Sequence, residues 1–476
     1  MMGRMVENPV HFGTDGWRAI IADTFTFENV AACAQASAEH FAEIYGLDKP
    51  IIVGYDTRFL SDEFALTVAR VLAGNGFRVQ MASRAAPTPA LSYRIIEAGA
   101  CGGVVVTSSH NPFRWNGIKV KPHYGGSATP EFVAAIEERV PAILADRSRL
   151  KAAADDAGIE RFDPVPGYLA ALAGQVDVQR IRDAGLRVAV DPMYGAGAGL
   201  FAELLRGGKT TVTEIHGERN PAFPGIRAPE PIESNLGEFM AVMASGQYDI
   251  GIANDGDADR LGLVDEQGRY IDQLRTFALL VNYLLGERGL RGPVVKSVTT
   301  TNMATLLAGH YGVDCYETPV GFKHIGPLMM EKDALIGGEE SGGYGFRGHL
   351  PERDGILAGL YLLDYAAVTG KPASELLERV FAITGAHYYE RLDFDLAPGS
   401  NAKVKAVLDA ANPAEIAGRA VLRTDRTDGW RFFIEEGWLL FRLSGTEPLL
   451  RIYTEVRSGE LVKPILEAGK RIAGLA

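Results

Sequence analysis

KPIIVGYDTRFLSDEFALTVARVLAGNGFRVQMAS, residues 49–83, contains the clearest secondary-structure pattern of the sequence. Residues 51–53 form an apolar run typical of a buried strand. The apolar residues that follow recur at helical spacing: Phe64, Val68, Val71 and Leu72. Gly74 and Gly76 predict the end of that helix, and a second apolar strand comes next. The stretch therefore predicts one strand–helix–strand unit.

The same order of strand, polar turn, helix, glycine and strand recurs at 186–215 and 293–318. Alternating strands and helices predict a parallel sheet flanked by helices. After about residue 386 the pattern changes to alternating strands, which favours a smaller α+β domain. We therefore predict an α/β protein in which three similar α/β domains with mixed sheets and a smaller C-terminal α+β domain surround a central cleft. The predicted domains are 1–155, 156–268, 269–385 and 386–476.

Composition and charge exclude several classes of protein. Of the 476 residues, 47% are hydrophobic and 23% charged, which is the mixture of a globular protein and excludes a disordered chain. The net charge of −12, without a dense Lys/Arg block, argues against a nucleic-acid or anionic-membrane partner. The apolar stretch 277–286 is much shorter than the ~20 residues of a spanning helix.

Two further features predict a cytoplasmic protein. Residues 1–17 lack the apolar segment of a secretory signal. The three cysteines, Cys33, Cys101 and Cys315, are widely separated and form no CxxC pair. An odd number of distant cysteines fits buried thiols in a reducing compartment better than a disulfide or zinc framework.

Each of the three units leads into an apolar run that ends in a polar cluster. These clusters are TSSHNP at 107–112, DGDADR at 255–260 and GEESGG at 338–343. In open α/β sheets, ligands bind beyond the carboxyl ends of strands. We therefore expect the three clusters to meet at one cleft.

The first cluster offers a nucleophile. Ser109 follows the run GGVVV, so its hydroxyl is expected at the end of a buried strand. Lys119 alternates with Ile118 and Val120, which places its amine on the opposite face of a short strand, as an acid or base. The alternative is an ordinary turn, because Ser, Asn and Pro are common turn residues.

The second cluster predicts a metal site. Asp255, Asp257 and Asp259 concentrate three negative charges that repel each other unless a cation neutralises them. Ligand sets made only of oxygen favour Mg²⁺ or Ca²⁺. An EF-hand is excluded because Arg260 stands where that loop requires glycine. A solvated acidic turn is the alternative.

Two more loops predict binding of an anionic sugar. The segment 442–448, RLSGTEP, interrupts a strand with a glycine turn whose N–H groups suit an anion, and Arg442 and Arg451 add cations for a phosphate. The cluster GEESGG combines acceptors with a flexible backbone suited to sugar hydroxyls, and Lys323 on a loop upstream adds a cation. Each loop alone is equally compatible with an ordinary turn.

A nicotinamide site is not expected. Gly195, Gly197 and Gly199 follow a strand, but Leu200 stands where the dinucleotide motif would need its third glycine.

Together with FGTDGWR at 12–18, these motifs resemble the α-D-phosphohexomutase family, which includes phosphoglucomutase and phosphomannomutase. The resemblance covers essentially the whole chain. It implies a heart-shaped four-domain enzyme that carries a phosphoserine and one Mg²⁺. It also implies that sugar phosphates are the partners and that hexose 1-phosphate and hexose 6-phosphate interconvert through hexose 1,6-bisphosphate.

The resemblance also implies roles for individual residues. Ser109 is similar to the phosphoserine and, with Asp255, Asp257 and Asp259, to the metal-binding set. The implied catalytic residues are Ser109, Lys119 for proton transfer, and the auxiliary His110, Arg18 and Arg260. The implied substrate-binding residues are Glu339 and Ser341 for the O3 and O4 hydroxyls, Lys323, and, for phosphate, Arg442, Ser444, Gly445, Thr446 and Arg451.

The sequence departs from the family pattern at Leu443, where Pro or Ala is common, and in 223–233, a loop that often carries histidines. Glucose is the expected sugar, because GEESGG resembles phosphoglucomutases, and mannose is the alternative. Two other functions stay open: a metal-dependent sugar phosphatase with a serine nucleophile, and a sugar-phosphate binding protein without catalysis.

Overall fold

The computed structural model describes residues 8–13, 15–397, 399–444 and 449–475. The strands are β1 (Trp17–Ile20), β2 (Ile51–Tyr55), β3 (Val79–Ala82), β4 (Gly102–Val106), β5 (Trp115–Pro122), β6 (Ile159–Phe162), β7 (Arg187–Asp191), β8 (Thr211–Glu214), β9 (Ile250–Asn254), β10 (Leu261–Val264), β11 (Tyr270–Ile271), β12 (Val294–Ser297), β13 (Cys315–Thr318), β14 (Ile336–Gly338), β15 (Tyr344–Phe346), β16 (Tyr388–Asp395), β17 (Glu415–Ile416), β18 (Arg419–Ala420), β19 (Arg423–Asp425), β20 (Trp430–Ile434), β21 (Gly437–Leu443) and β22 (Leu449–Val456).

The α-helices connect these strands and cover the sheets. They are α1 (Phe27–Tyr45), α2 (Ser61–Gly74), α3 (Thr88–Glu97), α4 (Pro130–Glu137), α5 (Val140–Ala145), α6 (Val165–Gln175), α7 (Val178–Asp183), α8 (Leu200–Leu205), α9 (Gly237–Met243), α10 (Gln273–Asn282), α11 (Asn302–His310), α12 (Phe322–Lys332), α13 (Gly355–Thr369), α14 (Ala373–Thr384), α15 (Asn401–Ala410) and α16 (Gly459–Ile472).

The three predicted strand–helix–strand units form three mixed sheets, as expected. Their strand orders are β1-β5-β4-β2-β3-β6, β11-β10-β9-β7-β8 and β13-β12-β14-β15. In each sheet a parallel core, β2 with β4, β7 with β9 or β12 with β14, continues into an antiparallel strand. Strands β2 and β4 are buried along their whole length, because helices α2 and α3 pack against both. This burial explains the continuous apolar runs in the sequence.

The first sheet extends past the predicted domain boundary at residue 155. Strand β6 pairs in parallel with β3, although the prediction assigned residues 159–162 to the second domain. Glu160 and Arg161 on this strand are exposed. An edge strand of this kind lacks the apolar run that marks a buried strand, so no local pattern distinguishes it in the sequence.

The C-terminal domain is a smaller α+β unit, as predicted. Its antiparallel sheet has the order β16-β22-β21-β20-β19, and α16 packs against β22. The sheet rests on the third domain: Arg431 of β20 donates to Glu317 of β13 at 2.6 Å, and Glu455 of β22 accepts the backbone N–H of Asn302 at 2.8 Å. These bonds fix where the C-terminal loop stands relative to the third sheet.

Two expectations about the chain as a whole can be compared with the structure. Within the described residues, no helix has the length and apolar character needed to cross a membrane. All three cysteines are free, and Cys33 and Cys101 are buried, as expected. Burial raises the pKa of the Cys33 thiol to about 12, so this thiol is inert at neutral pH.

Candidate active site

The three polar clusters that follow β4, β9 and β14 lie against one another. Ser109 Oγ donates to Asp255 Oδ2 at 2.6 Å, which joins the first cluster to the second. The N–H of Leu261 donates to the carbonyl of Gly342 at 2.9 Å, which joins the second cluster to the third. The ends of three strands from three domains thus form one site.

Ser109 has an unusual backbone conformation at this junction. Its φ of 49° lies in the left-handed region, which residues with a side chain rarely adopt. Its carbonyl oxygen faces Gly256, where a Cβ would lie only 2.5 Å from that oxygen. The glycine in DGDADR therefore allows the metal cluster to approach the serine loop closely.

The three aspartates form a buried carboxylate group. One oxygen from each lies within 4.8 Å of the others. Burial, and then the charges of Asp259 and Asp257, raise the pKa of Asp255 well above its ordinary value. Asp257 Oδ1 and Asp259 Oδ1 are buried and have no hydrogen-bond partner among the described residues. Unpaired buried carboxylate oxygens are costly, so these two atoms fit a bound cation.

Lys119 lies among the carboxylates and contacts their other oxygens. Its Nζ is 2.8 Å from Asp15 Oδ2, Asp257 Oδ2 and Asp259 Oδ2. Burial by itself lowers the pKa of Lys119, but the three carboxylates outweigh it and hold the pKa above its ordinary value. Lys119 is therefore an ammonium in this arrangement.

Arg353 completes the charge cluster, and sequence reasoning missed it. Its guanidinium pairs with Asp15, with Asp259 at 3.0 Å and with Glu339 at 3.3 Å. Asp15 lies inside the quoted segment 12–18, which was a usable signal. Arg353 stands immediately before α13, outside every quoted motif, and nothing in the local pattern marks it.

The auxiliary residues predicted around Ser109 lie close to it. His110 Nδ1 is 3.3 Å from Ser109 Oγ, and burial together with the neighbouring cations lowers the pKa of His110 well below its ordinary value. Arg18 donates to Asn111 at 3.1 Å. Arg260 lies 3.8 Å from Asp259 and 3.9 Å from Asp255. His110 is thus neutral at pH 7, and the positive charge comes from the arginines.

Glu339, in the loop predicted to bind the sugar, reaches the same charge cluster through Arg353. Burial raises the pKa of Glu339 to about 7, although Arg353 opposes the shift. In the part of the chain that the structure describes, the buried Ser341 Oγ has no hydrogen-bond partner. Lys323 was expected on a loop, but it lies in the first turn of α12, because the helix begins at Phe322. Burial, followed by the charge of Arg442, lowers the pKa of Lys323.

The segment 442–448, the predicted phosphate loop, is described as far as residue 444, and the predicted Arg442 and Arg451 are both among the described residues. Arg442 Nε donates to Asp428 Oδ2 at 2.9 Å, and the same oxygen accepts the N–H of Val320 at 2.8 Å. Arg451 lies 3.9 Å from Asp393. The N–H of Ser444 donates to the carbonyl of Leu449 at 2.8 Å. The predicted Gly445 and Thr446 lie outside the described residues.

Comparison with known protein families accounts for nearly all of the chain. Models of the phosphoglucomutase/phosphomannomutase family match as α/β/α domain I at 9–146, domain II at 166–268, domain III at 272–383 and the C-terminal domain at 400–469. The chain therefore belongs to the phosphoglucomutase/phosphomannomutase family, as its motifs indicated, and it is an enzyme of the phosphohexomutase type.

Relatives in this family act on several sugars. A phosphoglucomutase/phosphomannomutase from Thermococcus kodakarensis is 32% identical over 463 residues, which cover 97% of this chain and 98% of the relative. A phosphoglucosamine/phosphogalactosamine mutase from Sulfurisphaera tokodaii is 29% identical over 97% of this chain and 98% of the relative. These relatives share a family with this chain but are named for different sugar phosphates.

Solved structures agree with this assignment. The candidate phosphomannomutase of Thermus thermophilus superposes with a TM-score of 0.87 at 36% identity, over 98% of this chain and all of that chain. The N-acetylphosphoglucosamine mutase of Aspergillus fumigatus, solved with GlcNAc-6P and magnesium, has a TM-score of 0.60 at 15% identity, over 100% of this chain and 96% of that chain. This second similarity shows only that the two chains share a fold. The Aspergillus protein itself was solved with a bound sugar phosphate.

Proposed function

We propose that this protein interconverts hexose 1-phosphate and hexose 6-phosphate by way of a phosphoserine at Ser109 and a hexose 1,6-bisphosphate. The observation that carries this proposal is the 2.6 Å hydrogen bond from Ser109 Oγ to Asp255, within the buried aspartate trio. A hydroxyl held against clustered carboxylates is suited to a phosphoryl group whose charge a metal neutralises. The arginines of the C-terminal domain then serve the phosphate that is not reacting.

Mg²⁺ is the metal that these residues suit. Asp255, Asp257 and Asp259, with a phosphoryl oxygen on Ser109, would hold it, because hard cations prefer oxygen ligands and Mg²⁺ commonly shares its shell with a phosphate. When bound, the ion offsets the charge that builds on the transferring oxygens. Arg260 adds a fixed cation beside the trio.

The proposed phosphoryl transfer from Ser109 to the sugar neither gains nor loses a proton overall. The bond between phosphorus and Ser109 Oγ breaks, a bond from phosphorus to the sugar oxygen forms, and the sugar's hydroxyl proton ends on Ser109. Lys119 is the proposed carrier of this proton. Because its ammonium already holds a proton, Lys119 gives that proton to the departing serine oxygen and regains one from the sugar hydroxyl.

The same site must act twice, since the bisphosphate turns end for end before its other phosphoryl group returns to Ser109. Glu339 and Ser341 are proposed to hold the O3 and O4 hydroxyls in both orientations. Arg442, Ser444, Gly445, Thr446 and Arg451, with Lys323, are proposed to hold the distal phosphate. Closure of the C-terminal domain would keep water from the phosphoserine.

Glucose is the proposed sugar. The sugar loop, GEESGG, resembles that of phosphoglucomutases, whereas a 29% identical relative is named for glucosamine and galactosamine phosphates. Turnover on the 1-phosphates of glucose, mannose and glucosamine, compared as kcat/KM, tests this preference. A higher kcat/KM for either of the other sugars would contradict it.

Replacement of the serine tests the proposed reaction. We expect Ser109→Ala to abolish conversion of glucose 1-phosphate to glucose 6-phosphate, and Ser83→Ala, at an exposed serine of the same domain, serves as the matched control. Mass spectrometry is expected to find one phosphate on Ser109 of the wild-type protein. Full activity of Ser109→Ala would overturn the proposal. Continuous release of inorganic phosphate would favour a phosphatase, and binding without turnover a silent binding protein.

A further inference from the structure

Both backbone polar groups of Ser109 belong to one closed circuit made of hydrogen bonds and one ion pair. The N–H of Ser109 donates to Thr107 Oγ1 at 2.9 Å, and Thr107 Oγ1 donates to Asp56 Oδ2 at 2.6 Å. Asp56 pairs with Arg58 at 3.2 Å, and Arg58 Nη2 donates back to the carbonyl of Ser109 at 2.6 Å. The circuit therefore begins and ends on the same residue.

Arg58 also fixes the rest of the serine loop. Besides Ser109, its guanidinium donates to the carbonyls of Asn111 at 2.7 Å and of Pro112 and Trp115 at 3.1 Å. The Arg58 side chain is fully buried, so these bonds do not compete with water. A cation shared among four carbonyls holds the loop in a single conformation.

The other members of the circuit are equally buried and bonded. Asp56 Oδ1 accepts from Ser61 Oγ at 2.8 Å and from the N–H of Arg58 at 3.0 Å. The centre of the Phe223 ring lies 5.1 Å from the Arg58 guanidinium, so a residue of the second domain packs against this cation. The circuit is thus held from both domains that form the phosphoserine site.

This circuit explains how Ser109 keeps its left-handed backbone. A residue with a side chain at φ near 50° is strained, and such strain persists only where the surroundings over-determine the conformation. The conformation directs Oγ toward Asp255. Without the circuit, Ser109 would relax and its hydroxyl would leave the carboxylate trio.

We propose that Asp56, Arg58 and Thr107 are positioning residues for phosphoryl transfer, which hold the backbone of Ser109 so that its Oγ faces the aspartate trio. The inference rests on the proposed function, because it assigns these residues to the same serine. None of the three is proposed to touch substrate. They act through the orientation of Ser109 alone.

Thr107 gives the sharpest test, because Val has nearly its shape but cannot link Ser109 to Asp56. Misplacement of a reacting group by about 1 Å costs about 100-fold in rate. We expect Thr107→Val to lower kcat about 10- to 100-fold with KM within about twofold of wild type, and Thr107→Ser, which keeps the hydroxyl, to restore most of kcat. Arg58→Lys keeps the positive charge but loses the planar guanidinium, and its kcat is expected to lie between those of Thr107→Val and Thr107→Ser.

A second measurement separates positioning from general loss of structure. Starting from protein freed of phosphate, the rate at which Ser109 takes up phosphate from glucose 1,6-bisphosphate is followed by intact-protein mass and is expected to fall with kcat in Thr107→Val. The thermal unfolding midpoint identifies folded variants. Arg70→Met, which removes an exposed ion pair with Asp156, is the control and is expected to behave as wild type.

The outcomes are distinguishable. If folded Thr107→Val takes up phosphate at the wild-type rate, or if only its KM changes, the positioning role is overturned while the proposed phosphoserine is unaffected. Absence of phosphate uptake by wild-type protein freed of phosphate would instead overturn the proposed function, and this inference with it.

Discussion

Lys121 and Glu352 form a fully buried ion pair, with 2.5 Å between Nζ and Oε2, although 231 residues separate them in the chain. Glu352 also accepts from Ser127 Oγ at 2.6 Å. Lys121 lies two residues beyond Lys119 on β5, and Glu352 immediately precedes Arg353. The pair therefore joins the first domain to the third directly behind the charge cluster of the active site.

Breaking this pair should destabilise the protein. Loss of one partner leaves a buried charge uncompensated, so Lys121→Met is expected to lower the free energy of unfolding by about 3 to 5 kcal/mol. Urea unfolding measures the change. The double variant Lys121→Met/Glu352→Met should recover much of the loss, whereas Lys405→Met, which removes an exposed pair with Asp409, should show no measurable change. A double variant as unstable as the single one would contradict the argument.

Metal removal should abolish turnover. A chelator is expected to inactivate the enzyme, and added Mg²⁺ to restore it, because the free oxygens of Asp257 and Asp259 are proposed ligands. Asp257→Asn is expected to weaken Mg²⁺ binding at least about tenfold, or ~1.4 kcal/mol, measured by calorimetry. Asp183→Asn, on the exposed side of α7, is the control. Turnover that is indifferent to chelator would count against the site.

Substrate binding should depend on pH through Glu339, whose pKa is about 7. A carboxylate accepts hydrogen bonds from hydroxyls more strongly than a neutral carboxyl does. The group is charged above its pKa, so KM is expected to fall as pH rises from about 6 to about 8. The substrate phosphate also titrates near pH ~6, so Glu339→Gln is the reference. Identical pH profiles for both proteins would exclude Glu339 as the titrating group.

Arg442 should affect substrate binding more than chemistry. A hydrogen bond to a charged group contributes about 1.5 to 3 kcal/mol, so Arg442→Ala is expected to raise KM about 10- to 100-fold with kcat changed only a few-fold. Steady-state kinetics measure both. Arg419→Ala removes an exposed cation of the same domain, which pairs with Glu436, and should leave KM unchanged. A fall in kcat at constant KM would place Arg442 at the reacting phosphoryl group instead.

Local patterns were sufficient to predict the architecture. The periodicity of 49–83 and its two counterparts predicted strands and helices that the structure contains, because each unit buries its own apolar face. The family comparison and the sheets confirm the four-domain fold. The roles predicted for Ser109, Lys119 and the three aspartates stay predictions, although the structure brings these residues into contact.

The contacts between domains were not predictable from local patterns. Asp15 meets Arg353 across 338 residues, and Lys121 meets Glu352 across 231. These pairs form only when folded domains pack against each other. A charged residue beside a loop has the same local sequence pattern whether its side chain is buried or exposed. Lys323 shows a second limit, because it was predicted on a loop but lies in the first turn of α12.

Asp428 gives the C-terminal arginine a counter-ion before any ligand arrives. An incoming phosphate that engages Arg442 therefore exchanges one anion for another, and affinity reflects the difference between the two partners rather than the whole attraction. The amide of Val320, next to the turn that leads into α12, donates to the same oxygen of Asp428, so this carboxylate also fastens the third domain. A single carboxylate oxygen of the C-terminal domain thus holds both the arginine proposed to bind phosphate and the backbone of the third domain.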